Sequence, residues 1–255
     1  MEKIFHGDKL KLNGFNNLTK VLSFNLYDFC IALNQKEKDD YIQYIHEKYS
    51  AARITEIAEE ICKQINAEVL GISKQDYDPV GASSMVLMSD YMGGGWSEGS
   101  SVKMHLDKSH ITAHTYPEAG DPNGICSFRV DIDIATCGEI SPLTAVNYLF
   151  ESFECDVVYI DYVVRGFTRL QDGTKIYNDQ YFNSIQDFIK PEILKDYQYK
   201  TDLNIPGNMI WQTKLMIGEF GAERYLMEPT KHDPNTLTKE MDLLKSEMFG
   251  VFHLS

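Results

Sequence analysis

Along KVLSFNLYDFCIAL (20–33), Leu22, Phe24 and Leu26 alternate with polar neighbours, the period of a strand with one buried face. The period then changes. Between Glu37 and Ile65 the pattern becomes helical, with Ile54, Ile57, Ala58, Ile61, Cys62 and Ile65 on one face and Thr55, Glu59 and Glu60 on the outer side. EVLGI (68–72) and SMVLMS (84–89) read as strands bracketing a Pro/Gly-marked turn at YDPVGA. In CSFRVDIDIAT (126–136), Phe128, Val130, Ile132 and Ile134 share one face, while Arg129, Asp131 and Asp133 share the solvated one.

Ser141-Pro142 opens a helix running through Phe153, with serine as N-cap and proline at the first helical position. DVVYIDYVVRGFTRL (156–170) is a further strand, followed by a turn at QDGT and a short helix around Asn183–Ile189. A strand NMIWQTKLMI (208–217) and a helix from Leu237 to Phe249 complete the pattern. MGGGWSEGSS (92–101), with four glycines and three serines, is loop chemistry. This order of elements predicts an α/β (α+β) layered sandwich of antiparallel-rich sheets covered by helices, in a single domain spanning 1–255. No G-x-G-x-x-G follows a strand, so a Rossmann fold is not expected.

Composition narrows the partners. Thirty-eight acidic side chains against twenty-four basic ones give a net charge of −14, which argues against nucleic acid and is compatible with a cationic small molecule. Five scattered cysteines form no CxxC pair, as in a reducing cytoplasm. The N-terminus has no apolar core of signal-peptide length, and no stretch approaches the roughly 18 apolar residues of a membrane span. The expectation is a soluble cytoplasmic protein without a membrane partner.

Candidate chemistry concentrates in HLDKSHITAHTYPE (105–118), where Ser109 stands between Lys108 and His110, followed by His114 and Glu118. Spacing alone leaves this open. The stretch could be one polar edge strand, and no G-x-S-x-G elbow surrounds Ser109. Alone, Cys137 reads as a structural cysteine and His114 as a satisfied half-buried histidine. The seven histidines are dispersed without metal-ligand spacing.

LDKSH, HTYPE, ATCG followed by ISPL, and DYVVRGFTR together resemble S-adenosylmethionine decarboxylase in its long bacterial form. LNGFNNLTK, the 37–65 segment, DYDPVGAS and NSIQDF also fit, so the resemblance runs from about Leu12 to about Phe220. Only the 90–101 loop and the C-terminal tail look unlike it. The resemblance implies a proenzyme that cuts itself between Lys108 and Ser109 into a β chain (1–108) and an α chain (109–255). Ser109 becomes a pyruvoyl group, which forms a Schiff base with the substrate amine. By the same resemblance His114 is the processing base, Ser83 assists processing, and Cys137 is the proton donor.

Glu118 would hold the ribose hydroxyls and Tyr77 the adenine ring, at a position where the short-form relatives carry phenylalanine. Mg²⁺ as an activator and a homo-oligomer of processed protomers are likewise implied, with the metal ligands unknown. The rival readings are a pyruvoyl decarboxylase of arginine or ornithine, an inactive regulatory homologue, and a serine hydrolase. Glu118 and the aromatic at 77 favour a nucleoside substrate, and the intact set Ser83, Ser109, His114 and Cys137 disfavours a dead copy. A hydrolase lacks both the elbow and an orienting acid.

Overall fold

The computed structural model describes residues 15–90, 109–137, 140–170, 172–178, 181–218, 221–227, 231–233 and 237–253. In chain order the elements are β1 (Phe15–Asn16), β2 (Thr19–Ile31), α1 (Gln35–Lys48), α2 (Ala51–Gln64), β3 (Ala67–Asp76), β4 (Ala82–Asp90), β5 (Ser109–Glu118) and β6 (Ile125–Cys137). They continue with α3 (Val146–Ser152), β7 (Val157–Arg165), β8 (Thr168–Arg169), β9 (Lys175–Ile176), α4 (Pro191–Leu194), β10 (Tyr197–Ile205), β11 (Ile210–Ile217) and α5 (Thr238–Phe252). Eight of the strands form one antiparallel sheet in the order β10-β11-β7-β2-β6-β5-β4-β3. The layered α/β architecture is therefore as the pattern predicts, with one large sheet at its centre and a small sheet β1-β8-β9 beside it.

Alternation explains which face is covered. Leu22, Phe24 and Leu26 on β2 pair in register with Ile134, Ile132 and Val130 on β6, and all six are buried. The amphipathic faces of α1 and α2 close over the same side of the sheet, α2 contributing Ile54, Ile57, Ala58, Ile61 and Cys62. Tyr49, just after α1, stacks on Phe128 and Phe153, while Phe150 of α3 meets Phe24 edge-on at 5.1 Å.

α5 lies against the other face. There Tyr159 donates its hydroxyl to the Val251 carbonyl, and Phe249 meets Tyr199. This helix covers only the end of the sheet away from Cys137. Among the described residues no helix lies over the rest of that face, which carries Ser83, His114, Asp131 and Asp133.

Several elements differ from the sequence reading. The 37–65 stretch is two helices broken at Tyr49-Ser50, because Ser50 turns extended and caps α2 by accepting from the Arg53 N–H. Thr55 is buried, not outside, since its hydroxyl satisfies itself on the Ala51 carbonyl and the Ser84 hydroxyl. The helix after Ser141 begins as a 3-10 turn over Pro142–Ala145, and Ser141 makes no side-chain cap bond to it. The 156–170 strand is broken at Gly166, where φ is +83° and a Cβ would meet the Asn17 carbonyl oxygen at 2.1 Å. β10, which the pattern did not predict, pairs along β11 as an edge strand. The 92–101 loop and Lys108 lie outside the described residues.

Candidate active site

β5 is not an edge strand. It runs between β4 and β6, so its backbone is held on both sides. Strand alternation then divides the HLDKSH–HTYPE residues between two faces. Ser109 opens β5 on the helix-covered side and is only 1 % exposed. Its Oγ accepts the backbone N–H of Cys137 at 3.2 Å, which joins two residues 28 positions apart. Cys137 ends β6 opposite Thr19 of β2, whose Oγ1 lies 4.0 Å from the Cys137 Sγ. Among the five cysteines, all free, Cys137 is half-buried and the other four are buried. Burial pushes the Cys62 and Cys126 thiols up to about 12 and Cys30 higher still, so these behave as inert apolar side chains.

Beneath this strand end the chain at Ile140, three residues beyond Cys137, is pinned from the core. Thr136 Oγ1 and Lys20 Nζ each donate to the Ile140 carbonyl at 3.1 Å. Sequence reasoning missed Lys20. The signal was present, because a lysine occupies the inward register that Leu22, Phe24 and Leu26 continue.

His114 lies on the opposite face, in one cross-strand row with Ser83 of β4 and Asp131 of β6. Its ring is stacked against Tyr116, centroids 6.4 Å apart. Arg129 holds Asp131 through two hydrogen bonds of 2.8 and 2.7 Å, its guanidinium lying between the rings of Tyr27 and Tyr116. The structure thus brings Ser83 to His114 and Ser109 to Cys137, yet does not bring these two pairs together in one chain. Ser109 and His114 stand five positions apart along β5, roughly 17 Å at the strand rise, on opposite faces.

Glu118 closes β5 at the end away from Ser109, exposed and accepting the Gly120 N–H. Tyr77 follows β3 and is 45 % exposed. Its N–H donates to the Gly81 carbonyl. Gly81 has φ +109°, and a Cβ there would meet the Thr115 carbonyl oxygen at 3.1 Å and Tyr77 Cδ2 at 3.4 Å. Only glycine allows the turn to bring the Tyr77 ring this close to β5. Tyr77 thus lies beside the Thr115–Pro117 part of β5, and Glu118 closes the same strand. A small apolar groove between α5 and β11, lined by Met216, Tyr225, Met241 and Met248, contains none of these residues.

The comparisons with known proteins bear on what this arrangement is. A family model described as S-adenosylmethionine decarboxylase matches residues 46–166. A protein of Clostridium perfringens (strain SM101 / Type A) is 46 % identical over 261 residues, covering 96 % of this chain and 96 % of its own length. One of Hahella chejuensis is 44 % identical over 257 residues, covering 96 % and 97 %. Both are named S-adenosylmethionine decarboxylase proenzyme. The solved adenosylmethionine decarboxylase of Aquifex aeolicus is 17 % identical, with a TM-score of 0.35, covering 65 % of this chain and 98 % of its own. Near full-length identity of this order, in a chain whose Ser109 and Cys137 meet at one strand end, leads to one conclusion: the chain belongs to the S-adenosylmethionine decarboxylase family.

Proposed function

We propose that this chain is a self-cleaving, pyruvoyl-dependent decarboxylase acting on S-adenosylmethionine, releasing CO₂ and leaving the aminopropyl donor for spermidine. The observation that carries this is the meeting of Ser109 and Cys137 in a chain of this family. The cut falls between Lys108 and Ser109 and leaves chains of 1–108 and 109–255. Ser109 Oγ attacks the Lys108 carbonyl carbon, so an ester replaces the peptide bond. Loss of the Ser109 α-proton then breaks the Cβ–Oγ bond and releases Lys108 as a carboxylate. The dehydroalanine takes up water and loses ammonia, leaving the pyruvoyl group.

A buried serine with a fixed Oγ at the head of a strand fits a group made from the chain itself. The Cys137 N–H holds that oxygen as an acceptor, leaving its proton free for a base. Once formed, the group supplies a carbonyl electron sink for the electrons left by CO₂. Cys137 Sγ holds the proton that the substrate carbon receives, and Thr19 Oγ1 is its neighbour. Glu118 offers two acceptor oxygens to a ribose diol, and Tyr77 a flat ring to adenine. Among the described residues no group of three or more His, Cys, Asp or Glu side chains could hold a metal ion. No residue is therefore assigned to a Mg²⁺ activator, and no step is routed through one.

The separation of Ser109 from His114 supports a homo-oligomer. A general base must come within hydrogen-bond reach of the proton it removes, and roughly 17 Å along one strand prevents that within a single chain. A second sheet laid on the face that no described helix covers, about a two-fold axis, would set the Ser83–His114 half of one copy over the Cys137 side chain of the other, at the strand end where Ser109 begins β5. Met85, Leu87, Leu203, Ile205 and Ile210 are exposed apolar side chains on that face, suited to sheet-on-sheet packing. Free cysteines and the absence of any described helix long and apolar enough to cross a membrane support the cytoplasm as the compartment.

Two experiments test this. Carboxyl-labelled S-adenosylmethionine, arginine and ornithine are offered to the purified protein. Labelled CO₂ from the first alone is the predicted result, and release from an amino acid without a nucleoside would transfer the assignment. Co-expression of Ser109→Ala and His114→Ala chains tests the oligomer. Cleavage restored in the mixture, absent from either chain alone, is predicted for a site shared between copies. No restoration would place the whole site in one chain.

A further inference from the structure

On β2 the inward register runs Lys20, Leu22, Phe24, Leu26, so a cation heads a row of apolar side chains and is itself only 1 % exposed. Burying an ammonium is costly unless its hydrogen bonds are met. A lysine in this place performs a task that leucine would not. Its Nζ donates to the Ile140 carbonyl, and Thr136 Oγ1 donates to the same oxygen, so both lone pairs of that carbonyl are engaged. Ile140 lies three residues beyond Cys137 in the chain. Lys20 pairs in register with Thr136, and Thr19 with Cys137. Ser109 lies one step beyond the His110–Ala135 pair, alongside Thr136. Ser109, Thr136 and Lys20 thus form one buried row across three strands, directly beneath the candidate proton donor.

We propose that Lys20 is a positioning residue: it ties Ile140, three residues beyond Cys137, to the core and so decides which carbon receives the Cys137 proton. This inference rests on the pyruvoyl reading above. After CO₂ is lost, a proton delivered to the substrate carbon gives the amine product. A proton delivered to the carbon of residue 109 ends differently. With one water consumed, the substrate's amino nitrogen remains on residue 109 as alanine, and the rest of the substrate leaves as an aldehyde. The two carbons are close neighbours, so the choice between them depends on where Sγ is held. Loosening the Ile140 tether should shift that choice.

The test uses the full chain as wild type, Lys20→Met, Lys20→Arg and Thr136→Val. Self-cleavage is followed without substrate. N-terminal sequencing after a counted number of turnovers with S-adenosylmethionine then separates a blocked α chain from one beginning with alanine. Lys20→Met should still self-cleave while its alanine-ended fraction per turnover rises roughly tenfold, or ~1.4 kcal/mol in the competition between the two protonations. Lys20→Arg should restore the wild-type partition, and Thr136→Val should fall between.

A Lys20→Met protein that cleaves and partitions like the wild type overturns the inference and leaves the decarboxylase reading intact. A folded Lys20→Met chain that no longer self-cleaves also overturns it, because the lysine then serves processing. Should Lys20→Met fail to fold, Thr136→Val decides, and an unchanged partition in that variant counts against the proposal. A wild type that never yields a blocked α chain removes the reading itself.

Discussion

The two ends of β2 each bury a polar cluster, and they are built in opposite ways. At the Thr19 end a single ammonium and two hydroxyls, Lys20, Thr136 and Ser109, lie in one row under Cys137. At the other end, nine residues and roughly 30 Å along the strand, the cluster is carboxylic. Asp156, wholly buried, accepts the Phe29 N–H at 2.9 Å and pairs with Arg224 at 3.0 Å. Burial, then Asp156, then Glu154 hold the Asp28 carboxyl well above the usual range. Asp156 is also raised by burial, against the pull of Arg224. Because Asp156 has a cation and a backbone donor, the proton of the pair rests on Asp28. The Tyr41 hydroxyl lies buried nearby without a hydrogen-bond partner among the described residues, and burial with Asp28 pushes its pKa above the usual phenol range.

The contrast shows what a shifted carboxyl signifies in this molecule. Strong perturbation is a common marker of an active site. Here the shifted pair faces the helices, on the other side of the sheet from Glu118 and far from Ser109. Its partners are structural: Arg224, in the 3-10 turn Ala222–Tyr225, ties the C-terminal part of the chain to β2 and β7. The end proposed as reactive is marked instead by geometry, a hydroxyl fixed by the N–H of a half-buried cysteine.

The comparison can be broken in several places, and the effects should fall in a definite order. Ser109→Ala should remain one uncut chain without activity on a denaturing gel and in a CO₂-release assay, since alanine can neither make the acyl shift nor undergo the elimination. Cys137→Ala should still cut, but turn over about 10² to 10⁴-fold more slowly, the usual contribution of a positioned proton donor. Normal turnover in that variant would remove the thiol from the chemistry.

Changes at the carboxylic end should leave self-cleavage alone. Arg224→Met should cost about 2 kcal/mol in urea denaturation. That is below the usual loss on breaking a buried pair, because the guanidinium is partly exposed. The smallest effect belongs to Asp28→Asn. The folded chain holds this proton more tightly than the unfolded chain. That contribution to stability is complete below the ordinary carboxyl value of 3.8 and is lost as pH rises through the raised pKa. Asn should flatten this decline, measured as denaturation midpoints from about pH 5 to about pH 8. An equally steep decline in the variant would locate the proton elsewhere.

Much of the fold was legible because alternation is strict where one face is buried. β2 shows this from Thr19 to Asp28 and β6 from Cys126 to Ile134. The break at Tyr49-Ser50 was hidden, because Tyr49 continues the apolar pattern while its ring turns away to stack on Phe128. β10 was hidden for a different reason. YQYKTDLNI is largely exposed on both sides, so edge pairing to β11 orders it without a hydrophobic period.

At the site, residue types were legible and distances were not. Nothing in the spacing of Ser109 and Cys137 states that they touch, because the register of β5 on β6 sets their contact. Nor does the five-residue step from Ser109 to His114 reveal that a strand will carry them to opposite faces. That follows only once the segment is known to be β and not helix.

The most direct test of the account is the intact mass of freshly purified protein. The account predicts two chains meeting at Lys108/Ser109, the larger lighter than a serine-started chain by the difference between serine and pyruvoyl. A single uncut mass, or a cut chain still beginning with serine, would contradict it.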